Sequence, residues 1–271
     1  MKKSAALLAA FLLLCGFFMQ GQAEEGDTPA ALGIPTAEPA LSLSLEDLCP
    51  ALAGKAPTPA VREPLGEGLY ALRLEADRPG PSVLIVAGIH GDETAGMEAA
   101  ALLSGIGLSR GRLTIVSPAN PRGAARYARS FDGHDMNRSF PGDPMGDDCS
   151  RAADALFQAI RKENPDLVLD LHESRPSAVS DTLGNALICD DTALIGEVLF
   201  SLLADTQTGA ACSAPFSIFG GAPAGSLNYA VRVCLHLPVV TVETDRDQPL
   251  ATRVSDQLTV IRAFLSFCEM L

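Results

Sequence analysis

Val83-Leu-Ile-Val-Ala-Gly-Ile-His90-Gly-Asp-Glu93-Thr-Ala-Gly96 is the stretch from which the fold is read. The run Val83 to Ala87 is short, apolar and rich in β-branched residues, which predicts a central buried strand. Met97 to Leu103 (MEAAALL) predicts a helix. His90 and Glu93 therefore fall where a strand hands over to a helix, at the sheet edge where α/β proteins place their sites. Imidazole and carboxylate at that spacing can face one ion, and a third protein ligand would leave a position open for water.

Working outward, Gly68 to Glu75 (GLYALRLE) alternates and predicts an outer strand, and Arg112 to Ser117 (RLTIVS) predicts another. A loop from Pro118 to about Asp148 follows, and loops that long inside a compact domain are usually functional. Ser150 to Lys162 reads as helix, and Asp166 to Leu171 as a buried strand ending in His172 and Glu173. Strand at Ala186 to Cys189, helix at Ala193 to Ala204, loop at Gly209 to Ala224 and helix at Ser226 to Leu235 come next. Pro238 to Glu243 is the last strand, and Ala251 to Cys268 a closing amphipathic helix. The alternation predicts an α/β fold, with a mixed, mostly parallel twisted sheet and helices on both faces.

Met1-Lys2-Lys3, the apolar run Ala5 to Met19 and Gly21-Gln22-Ala23 read as a secretory signal over residues 1–23, too short for a membrane span. Residues 24–62, rich in Pro, Ala and Glu, read as an N-terminal arm or linker, and 63–271 as the catalytic domain. Export would make the mature protein periplasmic or secreted, without a stable membrane span. The formal charge of −13 becomes −15 when Lys2 and Lys3 leave. So acidic a chain repels nucleic acid and anionic membrane. Of seven cysteines, Cys15 leaves with the signal, and the remaining six permit up to three disulfides or buried free thiols. None has C-x-x-C spacing, which argues against a cysteine-bound metal.

Three strands thus end in metal-competent or basic groups: His90 with Glu93, then His172, then Glu243. A single histidine there is usually structural, as His236 is read to be, and Glu93 or Asp92 could simply face a helix dipole. Three such endings together point to a site. The long loop adds Arg122, Arg126, Arg129, Asp132, Asp135, Asn137 and Arg138, and Arg110 to Arg138 holds six arginines against two aspartates. Arg122 and Arg126 read as a solvated face. Arg129 and Arg138, flanking the aspartates, read as a network for capturing an anionic substrate, since guanidinium forks grip carboxylates at two points.

Gly88-Ile-His-Gly-Asp-Glu93, Asn120-Pro, Asp135-Met-Asn137-Arg138, Asp170-Leu-His172 and Thr241-Val-Glu243 stand in the order used by zinc carboxypeptidases. Together they resemble most the succinylglutamate desuccinylase and aspartoacylase branch, over roughly residues 65 to 265. The resemblance implies one zinc per chain on His90, Glu93 and His172. It further implies Glu243 as general base, Arg129 polarising the scissile carbonyl, and Asn137 with Arg138 gripping a substrate carboxylate. Gly225-Ser-Leu227-Asn-Tyr229 resembles the segment lining the carboxypeptidase side-chain pocket, with Leu227 at the specificity position. The tyrosine expected shortly before that segment is missing, and the chain ends one helix after Glu243, without the β-rich domain usual in aspartoacylases.

The expectation is a zinc hydrolase cutting an amide bond beside a free carboxylate, metallocarboxypeptidase-like, with cell-wall peptides as a candidate substrate. The alternatives are an N-acyl amino acid deacylase, or a relative that binds zinc or anions without turnover. A pure binder has no need of Glu243.

Overall fold

The computed structural model describes residues 41–178, 182–190, 196–207 and 212–271. The expected signal peptide and residues 24–40 of the arm lie outside them. Eight strands form one sheet: β1 Ala60–Gly66, β2 Leu69–Glu75, β3 Ser82–Ala87, β4 Arg112–Val116, β5 Leu167–Ser174, β6 Ala186–Ile188, β7 Ser217–Phe219 and β8 Val239–Asp245. Their order is β1-β2-β4-β3-β5-β8-β6-β7. The central strands β4, β3, β5 and β8 run parallel, while β1, β2 and β6 pair antiparallel to their inner neighbours. The α/β fold expected from the sequence is present.

Parallel strands covered on both faces bury both sets of side chains. Along β3, Val83, Ile85 and Ala87 enter one core, while Leu84 and Val86 enter the other. The first core packs under α3 (Thr94–Leu103) and α8 (Leu250–Phe267), and the second under α5 (Asp148–Glu163). Every residue of β5 is buried, so it is the mechanical centre of the sheet. Helix α5 shows how local sequence sets a boundary: the Asp147 side chain accepts from the Ser150 N–H, and Asn164 closes the other end in the left-handed region.

Several elements depart from the sequence reading. β1 lies outside β2 and begins at Ala60, so the expected boundary between residues 62 and 63 falls within a strand. Pro64 and a mixed exposure pattern had hidden it, as both suit an edge strand. The apolar patch of the arm forms two short helices, α1 Leu45–Leu48 and α2 Pro50–Ala53, with Leu52 buried in the first core. β7 sits inside the stretch expected to be loop. The long loop after β4 holds a short helix, α4 Pro121–Arg126, and a 3-10 turn at Met136–Arg138. The helix expected at Ser226 to Leu235 divides into α7 Leu227–Ala230 and a π turn, Val231–Leu235, which leaves only α6 (Gly196–Gln207) to place in chain order before them.

Cys49, Cys149, Cys234 and Cys268 carry free thiols. No helix among the described residues is long and apolar enough to cross a membrane.

Candidate active site

The strand ends converge as the sequence reading requires. Gly88 leaves β3 at φ +74°, a turn open to glycine, and Gly91 packs so closely on the Gly123 and Ala124 backbone that a Cβ would collide. This pair folds the β3 turn under α4 and points His90 inward. Glu93 is the N-cap of α3 but makes no side-chain cap hydrogen bond. Its carboxylate turns instead to the site, which excludes a purely helix-capping role.

Glu93 is the hub. Oε1 lies 2.8 Å from His90 Nδ1 and accepts from Arg129 Nη1 at 2.8 Å. Oε2 lies 2.7 Å from His172 Nδ1 and accepts from the Glu173 N–H at 3.1 Å. Four partners match what a carboxylate can accept. Each imidazole is backed by a second acid: His90 Nε2 is 3.1 Å from Asp135 Oδ1, and His172 Nε2 is 3.1 Å from Asp170 Oδ1. The second contact is off the ring's donor axis and acts through charge, leaving Asp170 Oδ1 without a hydrogen bond. Gln257 of α8 donates to the His172 carbonyl at 2.8 Å and fixes the strand there.

The electrostatics follow from burial and neighbouring charge. Burial alone would raise Glu93, but the two imidazoles hold it well below the carboxylate range. Burial opposes charge on His172, yet Asp170 and then Glu93 raise it well above the usual histidine value. His90 is raised against burial by Glu93 and Asp135. Asp135 falls to about 2, because the bond from His90 outweighs its burial.

His90, Glu93 and His172 each offer an atom within 4.8 Å of the others'. This buried set of two nitrogens and one oxygen, with a carboxylate behind each ring, suits a metal ion with an open position.

Glu243 stands on β8, two residues before its end and directly beside His172, its register partner on β5. Its carboxylate stays partly open to the cavity. Burial chiefly, with Glu93 and Asp170 adding to it against the histidines, pushes it up to about 7. A structural ion pair between Glu243 and Arg246 does not occur: Arg246 is held by Asp92, at 2.9 Å between Nη1 and Oδ2. The cavity holds about 290 Å³ and is lined by His90, Glu93, Arg129, Asn137, Arg138 and Glu243, among others. That is the small end of the ligand-site range of roughly 300–1,000 Å³. A larger cavity of about 560 Å³ beside α3, lined by Tyr70, Leu72 and Met97, contains no acid, histidine or cysteine.

Two expected substrate contacts need adjustment. Leu227 is fully buried in the second core and outside the cavity lining, because α7 turns Ser226 and Asn228 toward it instead. Leu227, read as the specificity position, therefore does not line the cavity, whereas Ser226 and Asn228 do. Asn137 lines the cavity, but its Oδ1 accepts from the Leu227 N–H at 3.0 Å and its Nδ2 lies 3.4 Å from His172 Nε2. Arg138 is exposed at the rim and bonds only its neighbour's carbonyl, Asn137 O, at 2.7 Å. Arg122 pairs with Asp148 and Arg126 lies over Phe131, both away from the cluster. His134 meets Asp147 at 3.2 Å, and His236 caps the π turn in the left-handed region. Sequence reasoning did not single out Arg175, Ser226 or Asn228, which also line the cavity.

A mixed sheet of this order, with a His–Glu–His cluster at the ends of its parallel strands, defines a zinc-carboxypeptidase-like hydrolase fold. The chain belongs to the family of the Succinylglutamate desuccinylase/Aspartoacylase catalytic domain, which residues 79–243 match. It is 37% identical over 118 residues to N-alpha-acetyl-L-2,4-diaminobutyric acid deacetylase of Halomonas elongata, covering 40% of this chain and 34% of that one. The mDAP-bound form of Helicobacter pylori Csd4, a D,L-carboxypeptidase, superposes with a TM-score of 0.61 at 23% identity, over 71% of this chain and 52% of Csd4. A succinylglutamate desuccinylase/aspartoacylase of Rhodobacter sphaeroides gives 0.57 at 21% identity, over 81% and 67%. The chain therefore spans about a third of the Halomonas relative and half of Csd4.

Proposed function

We propose that this protein is an exported zinc hydrolase that cleaves an amide bond next to a free carboxylate, with one zinc per chain. The observation that carries the reading is the convergence of Glu243, Arg129 and Arg138 on one small cavity beside the His90–Glu93–His172 cluster. A zinc ion held there would supply Lewis acidity, lowering the pKa of water toward about 7 and polarising the carbonyl.

The chain's own groups supply the rest. Glu243, poised near neutrality, takes the proton of the attacking water and later gives it to the leaving nitrogen. Arg129 supplies guanidinium donors to the carbonyl oxygen as it gains charge. Arg138 grips the substrate carboxylate, with Asn137 holding the rim of the cavity onto α7. Asp135 and Asp170 orient the two imidazoles.

Among substrates, we favour a carboxypeptidase-like reaction on a short peptide, with cell-wall peptides suited to the compartment. Export is supported by the Lys2-Lys3 start and the apolar run before Ala23. The deacylase reading is favoured by the sequence match to the Halomonas deacetylase. Incubating zinc-loaded protein with cell-wall peptides, ordinary peptides and N-acyl amino acids separates the two. Release of a C-terminal residue is expected. Exclusive turnover of N-acyl amino acids would select the deacylase, and binding of zinc without any turnover would select the non-catalytic relative.

A further inference from the structure

Behind His172, three neighbouring strands place a row of polar groups across the sheet. Asp170 on β5 pairs in register with Thr241 on β8, and Thr241 with Ile188 on β6. The row lies on the side of the second core, because Val168 and Val239, two residues earlier on their strands, both enter it. Asn228 of α7 reaches this row, and its Nδ2 donates to the Ile188 carbonyl at 3.0 Å and to Thr241 Oγ1 at 2.9 Å. Thr241 Oγ1 donates in turn to Asp170 Oδ2 at 3.4 Å. Asp170 Oδ1 stands 3.1 Å from His172 Nε2. Asn228, Thr241, Asp170 and His172 are each at most 5% exposed.

The direction of every bond follows from the groups. A backbone carbonyl only accepts, so the Asn228 amide must turn its nitrogen toward Ile188, and both of its hydrogens are then committed. The Thr241 hydroxyl accepts one of them, which leaves its own hydrogen for Asp170. Among the described residues no other hydrogen bond reaches the Asp170 carboxylate, since Oδ1 has none. A buried carboxylate that acts on an imidazole through charge must have its position fixed from elsewhere, and here Thr241 fixes it. Tying α7 to the sheet would need only the bond to Ile188. The second hydrogen of Asn228 goes instead to the residue that holds Asp170.

We propose that Thr241 and Asn228 are positioning residues that hold Asp170 beside His172 and so raise the affinity of the His90–Glu93–His172 cluster for its metal ion. This rests on zinc binding by that cluster as read above, and not on turnover. It places a determinant of metal affinity on β8 and α7, two links away from any ligand atom.

Zinc affinity of the full chain, measured by competition with a chelator at one pH, tests the chain of contacts. Thr241→Val keeps the side chain's shape and removes its hydroxyl. It should weaken zinc binding by about three- to tenfold, less than the roughly 10–100-fold of a direct partner. Thr241→Ser restores a hydroxyl and should recover affinity to within about twofold of wild type. In an Asp170→Asn background, which has no carboxylate to hold, Thr241→Val should cost nothing further. Asn228→Ala should show a smaller loss that likewise vanishes beside Asp170→Asn, and it serves if Thr241→Val does not fold. Thr114→Val removes another buried hydroxyl, one that meets Glu163 on the far side of the sheet's centre. That control should lower the thermal midpoint while zinc affinity stays within about twofold of wild type.

Undiminished zinc affinity in Thr241→Val, a loss that persists in full beside Asp170→Asn, or an equal loss in Thr114→Val would overturn the positioning role and leave zinc binding and hydrolysis intact. Full affinity in Asn228→Ala would overturn its share. The expected pattern without turnover of any substrate would sink the hydrolase reading and leave this one standing. A wild-type chain that takes up no zinc would overturn both.

Discussion

Glu243 faces the cavity from β8, and because Asp92 holds Arg246, no arginine among the described residues pairs with it. Replacing it with Gln keeps size and hydrogen bonding but removes the capacity to take a proton. The kcat is expected to fall at least about 100-fold, while zinc content and thermal midpoint stay near wild type. An active variant, or one that loses zinc with activity, would show that Glu243 is not the base. As a base it must be ionised, so kcat/KM should rise with pH through an acid limb. Its value of about 7 in the metal-free site would be lowered by a nearby cation, which places the limb at or below neutrality. A profile flat through that region would argue against the assignment. Arg138→Ala should raise KM strongly for free-acid substrates, and amidating the substrate should mimic it. Equal cleavage of the amidated substrate would remove the carboxylate clamp. His172→Ala should lose most of the metal, and Asp135→Asn should weaken metal affinity by about 10–100-fold, measured by competition with a chelator.

At the scale of elements, β5 carries Asp170, His172 and Glu173 within one wholly buried strand. Alternation sends Asp170 and His172 to one side, while Glu173 meets Arg253 and the Ala95 N–H on the other. The strand therefore joins the site to α3 and α8. Residues 41–53 form a second attachment to α8, where Ser255 Oγ donates to the Leu48 carbonyl at 2.9 Å and Leu52 is buried. Leu52→Ala should cost about 2–5 kcal/mol in chemical denaturation if these helices belong to the cooperative unit. A negligible change would make them a detachable arm. The main strands and the positions of the His90–Glu93–His172 cluster were legible because buried parallel strands are short apolar runs, and polar residues at their ends stand out. β1, β7 and the two short helices were not, since edge strands and single turns bury too few side chains to write a period into the sequence. Leu227 and Asn228 show a finer limit. One residue of rotation on a four-residue helix decides which side chain meets the cavity, and a motif match cannot resolve it.

Across the whole molecule, the metal-free protein should reveal the cluster in its pH dependence. Asp135, depressed to about 2 from 3.8, stabilises the fold above about 4 and loses that contribution as pH falls toward its folded value. His90 and His172, raised from 6.5, contribute fully below that value and lose their contribution as pH rises through their folded pKa. The thermal midpoint of the zinc-free protein should therefore pass through a maximum between these limits, flattened in His172→Ala. An unchanged curve in that variant would show the cluster to be energetically silent. Zinc should then raise the midpoint, by adding about 2.7 kcal/mol of stability at a free concentration of 100 times Kd.

The two contacts between the imidazole Nδ1 atoms and the Glu93 oxygens have one more consequence. Each ring lies between carboxylates, which favours its protonated form in the metal-free state. A metal ion bound by these rings would have to displace a hydrogen ion from any ligating nitrogen that carries one. Loading would then be an acid-releasing exchange, with a heat that varies with the ionisation enthalpy of the buffer and an apparent affinity that climbs as the medium turns alkaline. Acidification of the medium would then lower the occupancy of the site.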